Sequence, residues 1–154
     1  MLMPLSAPTS MENEHQKIWQ LLMGVQNLSG KTGSVAEKLA NDLKAHIDRE
    51  ESLALPLLGI LRDLVDGKLT NASAKRASSL YVKFEKEYPD MLHGHKELYK
   101  MLERLKKVGA EEGHLTAVRF AEALERHSQE EEEVLYPAAI LAGRTAAKQV
   151  KAKS

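Results

Sequence analysis

Two segments of the chain carry the same spacing of residue types that bind metal ions. In each segment a histidine is followed by a glutamate four residues later and by a proline ten residues later. The two sets are His46, Glu50 and Pro56 in the first segment, and His127, Glu131 and Pro137 in the second. A histidine and a glutamate four residues apart lie on one face of a helix, so each pair can bind a single cation. The spacing therefore predicts metal coordination by nitrogen and oxygen ligands.

Each pair is preceded by a further histidine in a repeated sequence context. His15 begins the sequence His-Gln-Lys-Ile-Trp-Gln-Leu-Leu, and His95 begins the similar sequence His-Lys-Glu-Leu-Tyr-Lys-Met-Leu. The next histidine of the pattern follows after 31 residues in the first half and after 32 in the second. Four histidines and two glutamates thus recur at an offset of 80 or 81 residues. This repeat indicates a duplicated pair of helices around one shared site.

Apolar residues recur at intervals of three and four along the chain, which is the spacing of amphipathic helices. Capping signals, prolines and glycines then give the limits of four predicted helices. The first predicted helix extends from a cap formed by Thr9 and Glu12 to about Leu28, and the second from a cap formed by Ser34 and Glu37 to about Gly67. The third predicted helix starts or kinks at Pro89 and ends at Gly109. The fourth ends or bends near Pro137. Residues 70–88 are also compatible with a helix, either separate or joined to the third. We therefore predict an all-α fold, an up-and-down four-helix bundle, whose interior commonly holds metal sites.

The helical pattern separates the six histidines into two groups. Because successive residues turn by about 100°, only some of them share the apolar stripe that faces the core. Two histidines, His93 and His114, fall off the stripe and are predicted to lie at the surface. Those on the stripe are His15, His46, His95 and His127. Glu50 and Glu131 lie one turn beyond a histidine on the same face, and Glu130 is a further candidate that the repeat disfavours.

A single histidine or glutamate on such a stripe is usually a hydrogen-bonded core residue or a boundary residue. Six of them in one core are different, because each polar group without a partner costs roughly 1–3 kcal/mol. A bound cation would satisfy all six together. The combination therefore favours a metal site over six separate packing roles.

Composition excludes several other classes of function. Lys plus Arg and Asp plus Glu number 22 each, so no net charge attracts nucleic acid or an anionic membrane. The chain has no cysteine, which excludes disulfides, thiolate catalysis and iron–sulfur clusters. The first ten residues lack the basic and long apolar segments of a secretory signal, and we expect a cytoplasmic protein. Its length and apolar fraction of 43% suit one domain. We expect that domain at residues 11–142, with a flexible extension at 1–10 and a C-terminal tail at 143–154.

The order and spacing of these residues resemble the hemerythrin-like proteins that contain the His-His-Glu cation-binding domain. The resemblance covers roughly residues 11–142 and includes both pairs, both isolated histidines and the proline after each pair. It implies a four-helix bundle around a non-heme centre of two iron ions, bridged by carboxylates and by an oxo or hydroxo group. Mapped onto this chain, it implies terminal ligands at His15, His46, His95 and His127, and bridging carboxylates at Glu50 and Glu131.

The implied ligand set leaves room for small molecules. Two six-coordinate irons need about twelve bonds, and the implied set supplies about ten of them. The two remaining positions could bind dioxygen, peroxide or nitric oxide, and apolar neighbours would restrict access to small ligands. We expect redox chemistry on such ligands. A reversible oxygen carrier or sensor and an iron-holding module without catalysis are the alternatives.

The chain departs from the oxygen-carrying hemerythrins at Tyr99, where those proteins have a further histidine. Its repeat partner is Trp19, so both aromatic rings lie one turn beyond a histidine. Core packing is the expected role of both, and a ligand or redox-active role for Tyr99 is the alternative. A ferritin-like di-iron site would use Glu-x-x-His, which occurs as Glu12 to His15 and again as Glu111 to His114, but His114 lies off the stripe. Zinc and manganese also accept nitrogen and oxygen ligands and stay possible on sequence alone.

Overall fold

The computed structural model describes residues 5–153, and all regular structure in that range is helical. The elements are α1 (Thr9–Gln26), α2 (Gly30–Leu53), α3 (Leu55–Leu58), α4 (Leu61–Val65), α5 (Asn71–Glu111), α6 (Leu115–Glu130), a π-helical turn (Glu131–Leu135) and α7 (Tyr136–Ala152). This confirms the predicted all-α class. Residues 1–4, at the start of the predicted flexible extension, lie outside the described residues. Leu5 and Ala7 of the same extension pack against the apolar core, and Thr9 already belongs to α1.

Helix α2 begins four residues before the predicted cap at Ser34. The reason is a carboxylate from a distant part of the chain, because Glu112 accepts hydrogen bonds from the backbone N–H groups of Lys31 (2.9 Å) and Thr32 (2.7 Å). These are two of the N–H groups that the first turn of a helix leaves without a partner. Gly30 has a φ of +76°, and a Cβ there would overlap the Glu112 carboxylate. The start of α2 therefore depends on contact with the end of α5.

The second predicted helix is also shorter than expected. It was predicted to continue to Gly67, but α2 ends at Leu53 and two short helices follow, α3 and α4. Pro56 lies in the first turn of α3, where its missing N–H is tolerated, whereas inside a continuous helix it would remove one hydrogen bond. The proline thus separates α2 from the residues that follow it.

The third predicted helix is longer than expected, because residues 70–88 are joined to it. The result is the single 41-residue helix α5, which begins after the cap of Thr70, whose hydroxyl accepts a hydrogen bond from the Ser73 N–H (3.1 Å). Pro89 lies inside α5 at an exposed position, where the carbonyl left without a partner can be hydrated. Gly109, predicted as the end, is a buried residue packed against Ala117.

The fourth predicted helix does not end at Pro137. After α6 the backbone passes through the π turn and continues as α7, with Pro137 in the first turn of that helix. Residues 143–152, assigned to a tail by sequence, are therefore helical, and Gly143 and Ala146 among them are buried. They pack because small residues at these positions let α7 approach α5 closely.

The core consists of two apolar clusters with polar residues between them. One cluster, called here the α1–α6 cluster, contains Leu39, Leu43, Leu102 and Leu124. The other, the α3–α7 cluster, contains Leu57, Phe84, Ala139 and Ala142. Helix α5 packs against α2, α6 and α7 and contributes to both clusters, while α1 packs against α2 and α6. Within residues 5–153 no helix combines the length and the apolar character needed to cross a membrane.

Candidate metal centre

The six residues predicted from the repeat meet between the two apolar clusters. Helix α1 supplies His15, α2 supplies His46 and Glu50, α5 supplies His95, and α6 with the π turn supplies His127 and Glu131. All are buried except His46, whose side chain is 14% exposed. Such burial is rare for glutamate unless a partner compensates its charge. The six side chains therefore form one enclosed polar cluster in an otherwise apolar interior.

The donor atoms divide into two groups that share both carboxylates. One group contains His15 and His127 with Glu50 and Glu131, and the other contains His46 and His95 with the same two glutamates. Within each group the donor atoms lie within 4.8 Å of one another. Each group could hold one metal ion, and a pair of shared glutamates is what two neighbouring ions require.

Each glutamate turns one oxygen toward each histidine pair. In the first group His15 Nε2 lies 2.9 Å from Glu50 Oε1 and 3.7 Å from Glu131 Oε2. The other histidine of this group, His127, has its Nε2 atom 3.1 Å from the same Glu131 oxygen.

The second group uses the other oxygen of each glutamate. There His46 Nε2 lies 3.3 Å from Glu50 Oε2 and 3.7 Å from Glu131 Oε1, and His95 Nε2 lies 3.2 Å from that Glu131 atom. Each carboxylate thus presents one oxygen to each donor group.

Two of these buried donor atoms have no hydrogen-bond partner in the range that the structure describes. His15 Nε2 and Glu50 Oε1 are 2.9 Å apart, yet neither has a hydrogen-bond partner of acceptable geometry among residues 5–153. His46 Nε2 and His95 Nε2 are 2.9 Å apart. A hydrogen bond between two imidazole nitrogens requires a proton on one of them. Buried polar atoms of this kind fit a cation between them, since an ion would satisfy all of them together.

Protons compensate the charge of the cluster when no cation is bound. Burial lowers the pKa of His15, but the carboxylates of Glu131 and Glu50 outweigh it and raise the pKa to about 10. The same opposition raises the pKa of His46 to about 9 and that of His127 to about 8. Burial acts to raise the pKa of Glu131, yet its hydrogen bonds hold that pKa well below the usual value. A metal ion would therefore displace protons from the histidines when it binds.

Three outer carboxylates orient the histidines. The Nδ1–H of His15 faces Glu51 (3.1 Å), that of His95 faces Glu132 (2.9 Å), and that of His127 faces Glu14 (2.7 Å). Such partners fix the ring so that Nε2 is free to bind a metal, and they raise its basicity as a ligand. Sequence reasoning missed these residues. The repeated Glu-Glu doublets at 50–51 and 131–132 are the signal that could have identified two of them.

Tyr136 is a further residue of the centre that sequence reasoning missed. Its buried hydroxyl donates a hydrogen bond to Glu50 Oε2 (2.7 Å) and lies 3.3 Å from Nε2 of both His46 and His95. Burial and the nearby carboxylates of Glu131 and Glu50 raise the pKa of this phenol, so it keeps its proton. The repeat gives no signal for it, because its partner in the first half is Leu55.

The π turn explains why Tyr136 reaches the centre. In an α-helix five residues rotate by about 500°, which would turn Tyr136 about 140° away from Glu131. Here the Tyr136 N–H bonds to the Glu131 carbonyl five residues earlier, and this wider turn reduces the angle. Both side chains therefore face the centre from the same segment.

The remaining candidates lie outside the two donor groups. Tyr99 and Trp19 pack against the α1–α6 cluster, and the Tyr99 ring lies edge-on to His95 with centroids 6.2 Å apart. Burial, with Glu132 nearby, raises the pKa of Tyr99 to about 12. Glu130 is exposed and lies near Glu14 and His127, outside the pair of shared carboxylates.

The two histidines predicted at the surface are not part of the cluster. His93 is exposed, and His114 Nε2 lies 3.2 Å from the carbonyl oxygen of Ser29. The ferritin-like alternative required His114 at the metal. His114 belongs to neither donor group, because it lies at the start of α6 beside Ser29, the residue that precedes α2.

Cavities adjoin several residues of the cluster. One of about 360 Å³ opens to the surface between α1 and α2, where His15, Trp19 and Ile47 form part of its wall. Another, of about 10 Å³, is internal and adjoins three of the four histidines. A further cavity, of about 200 Å³, includes His46 in its wall.

No protein-family model, curated protein or solved structure matches this chain.

Proposed function

We propose that this chain is a hemerythrin-like protein, an up-and-down four-helix bundle that holds two iron ions between its helices. The observation that carries the proposal is the pair of donor groups that share both Glu50 and Glu131, with one oxygen of each carboxylate toward each histidine pair. The resemblance in residue order and spacing supports the same reading. In this proposal His15 and His127 hold one ion, and His46 and His95 hold the other.

The proposed substrates are dioxygen, peroxide and nitric oxide. Each ion would receive two imidazole nitrogens and one oxygen from each glutamate, which leaves coordination positions open to external ligands. Iron, when bound, supplies the electrons that reduce such ligands. The enclosing apolar clusters admit small molecules in preference to large polar ones. The donor set supports iron, and zinc or manganese remains the competing assignment until the metal is measured.

Tyr136 supports redox chemistry over simple carriage of dioxygen. Its hydroxyl holds a proton 2.7 Å from a bridging carboxylate and 3.3 Å from two histidine nitrogens. Reduction of dioxygen or peroxide consumes protons, and a positioned donor lowers the barrier for their delivery. We therefore propose an oxidoreductase role in which Tyr136 holds the proton and Glu50 accepts its hydrogen bond.

Reversible binding is the second candidate. The small internal cavity beside the centre favours it, because exclusion of bulk water protects a bound neutral ligand from side reactions. A module that stores iron without catalysis would use the same ligands.

The test is the reaction of the anaerobic, ferrous protein with one equivalent of dioxygen. For redox chemistry we expect irreversible conversion to a diferric spectrum, and turnover with peroxide or nitric oxide. A band that forms with dioxygen and disappears when the gas is removed would instead identify a carrier or sensor. Failure to bind iron at all would contradict the proposal.

A further inference from the structure

Ser128, a buried residue with a hydroxyl group, lies in the wall of the internal cavity beside the candidate metal centre. His15, His46, His127 and Glu131 form its polar side, and the remaining wall consists of Ile18, Leu43, Ile47, Leu124 and Ser128. A volume of about 10 Å³ leaves room for roughly one water-sized group. The cavity therefore suits the free end of a ligand with two or three atoms, but nothing larger.

The Ser128 hydroxyl has no partner of its own. The residue is 1% exposed, and its Oγ makes no hydrogen bond within the described part of the chain. A buried serine in a helix usually bonds the carbonyl one turn earlier, which would satisfy it locally. Ser128 does not do so, although a buried unpaired hydroxyl costs folding free energy. Such a group is available to a molecule that enters the cavity.

The sequence repeat shows that this hydroxyl departs from the apolar pattern of the wall. Leu43 in the first half corresponds to Leu124 in the second, and both line the cavity. Ile47 corresponds to Ser128, and both of these also line it. His46 and His127 are a third such pair, and among these three pairs only Ile47 and Ser128 differ in residue type.

We propose that the Ser128 hydroxyl donates a hydrogen bond to a small ligand bound at an open position of the metal centre. This inference rests on the proposed function. The ligand class is a two- or three-atom molecule that is anionic or becomes negative when it is reduced. The histidines and Glu131 would be occupied as metal ligands and the remaining neighbours are apolar, so the Ser128 hydroxyl would fix the orientation of the ligand and stabilise its charge. Ser128 is thus a specificity residue that favours hydrogen-bond acceptors over apolar diatomic molecules.

The test uses azide as the probe and the ferric, iron-loaded full chain as the receptor. Ser128→Ala removes the hydroxyl and leaves the proposed ligands in place, so the iron content should equal that of the wild type. We expect the Kd for azide to rise about fivefold to tenfold, the effect of losing one hydrogen bond. The azide stretching frequency of the wild type should shift in D₂O, and this isotope shift should disappear in the variant.

Ile47→Val is the matched control, because it enlarges the same cavity at the repeat-related position and removes no hydroxyl. It should keep the wild-type azide Kd within about twofold and retain the isotope shift. Equal Kd values and equal isotope shifts in wild type and Ser128→Ala would overturn the role of Ser128 alone. An equal loss of affinity in both variants would attribute the effect to cavity volume and also overturn it. A wild-type protein that takes up no iron would contradict the proposed function itself.

Discussion

At the scale of residues, the repeat predicted which six side chains converge but not how the carboxylates are oriented. Helical spacing places a histidine and a glutamate on one face, and burial of that face follows from its apolar neighbours. The division of each carboxylate between two histidine pairs depends on the packing of four helices, which no local pattern encodes. Tyr136 could not be predicted from local spacing either, because its position depends on the π turn.

Loss of a proposed ligand should reduce metal content and stability together. Glu131→Ala removes one of the two shared carboxylates, so each histidine pair loses one oxygen ligand, and we expect the iron content to fall by at least half. The melting temperature of the iron-loaded protein should fall with it, since bound metal stabilises only the folded state. Metal analysis and thermal unfolding of the same samples check this. His93→Ala is the matched control at an exposed histidine, and any loss of iron in that variant would contradict the assignment.

The two tyrosines near the centre should behave differently. Tyr136→Phe removes the proton donor that contacts Glu50 and both histidines of the second group, so we expect iron to be retained and the rate of peroxide consumption to fall by roughly tenfold to a hundredfold. Tyr99→Phe lies outside the donor groups and should leave the optical spectrum of the iron-loaded protein unchanged. Stopped-flow absorbance of both variants measures the difference. A changed spectrum in Tyr99→Phe would instead indicate that Tyr99 is a metal ligand.

The metal-free protein should lose stability as pH rises above neutrality. The folded-state pKa values of His15, His46 and His127 are raised from 6.5 to about 10, 9 and 8, so their contribution is complete below pH 6.5 and is lost as pH rises through those values. The melting temperature of the metal-free protein should therefore decrease between pH 7 and pH 10. Iron binding should become stronger over the same range, because fewer protons compete for the histidines. A metal-free melting temperature that is flat from pH 7 to pH 10 would refute the coupling.

At the scale of elements, the limits of the helices were predicted where the signal is local and missed where a distant residue provides it. Helix α1 begins at Thr9, close to the predicted start, but its N-cap residue is Pro8 and no side chain caps the first turn. The start of α2 could not be predicted locally, because its cap is the Glu112 carboxylate at the end of α5. Pro89 and Pro137 suggested helix breaks. Pro89 is tolerated inside α5 because it is exposed, and Pro137 is tolerated because it lies in the first turn of α7.

The cap of α2 can be tested without disturbing the metal centre. Glu112→Ala should lower the melting temperature by a few degrees at neutral pH and leave iron content unchanged. Hydrogen bonds from Thr32 and Lys31 lower the pKa of Glu112 to about 2, so its contribution is present above pH 4.5 and is lost as pH falls toward 2. The difference from wild type should therefore narrow in acid. Glu111→Ala, one residue earlier, is the control and should have no comparable effect.

At the scale of the whole molecule, the polar cluster separates two apolar cores that were expected to be one. The sequence indicated one core because, in each helix that supplies a histidine to the cluster, a continuous apolar stripe extends on both sides of that histidine. Packing of α7 against α5 forms the second core, and it includes residues that composition alone suggested as a tail. The candidate metal centre therefore lies at the junction of both cores, and we expect metal binding there to affect the stability of each.

The contact between α5 and α7 depends on a glycine. A Cβ at Gly143 would lie 2.5 Å from the Cβ of Tyr81, so Gly143→Ala must displace one of the helices. We expect a loss of about 1–3 kcal/mol from overpacking, equivalent to a fall in melting temperature of roughly 3–10 °C. Gly24→Ala in α1 is the control, because open space surrounds that position and alanine favours helix. Equal melting temperatures for the two variants would contradict the close approach.

The central claim is that two iron ions share Glu50 and Glu131, and an anaerobic ferrous titration of the metal-free protein tests it most directly. We expect uptake to saturate at two ions per chain. After oxidation, electron paramagnetic resonance should show no signal, because bridged ferric ions couple to a spin of zero. Saturation at one ion per chain, or an uncoupled ferric signal accounting for all the iron, would contradict the shared centre.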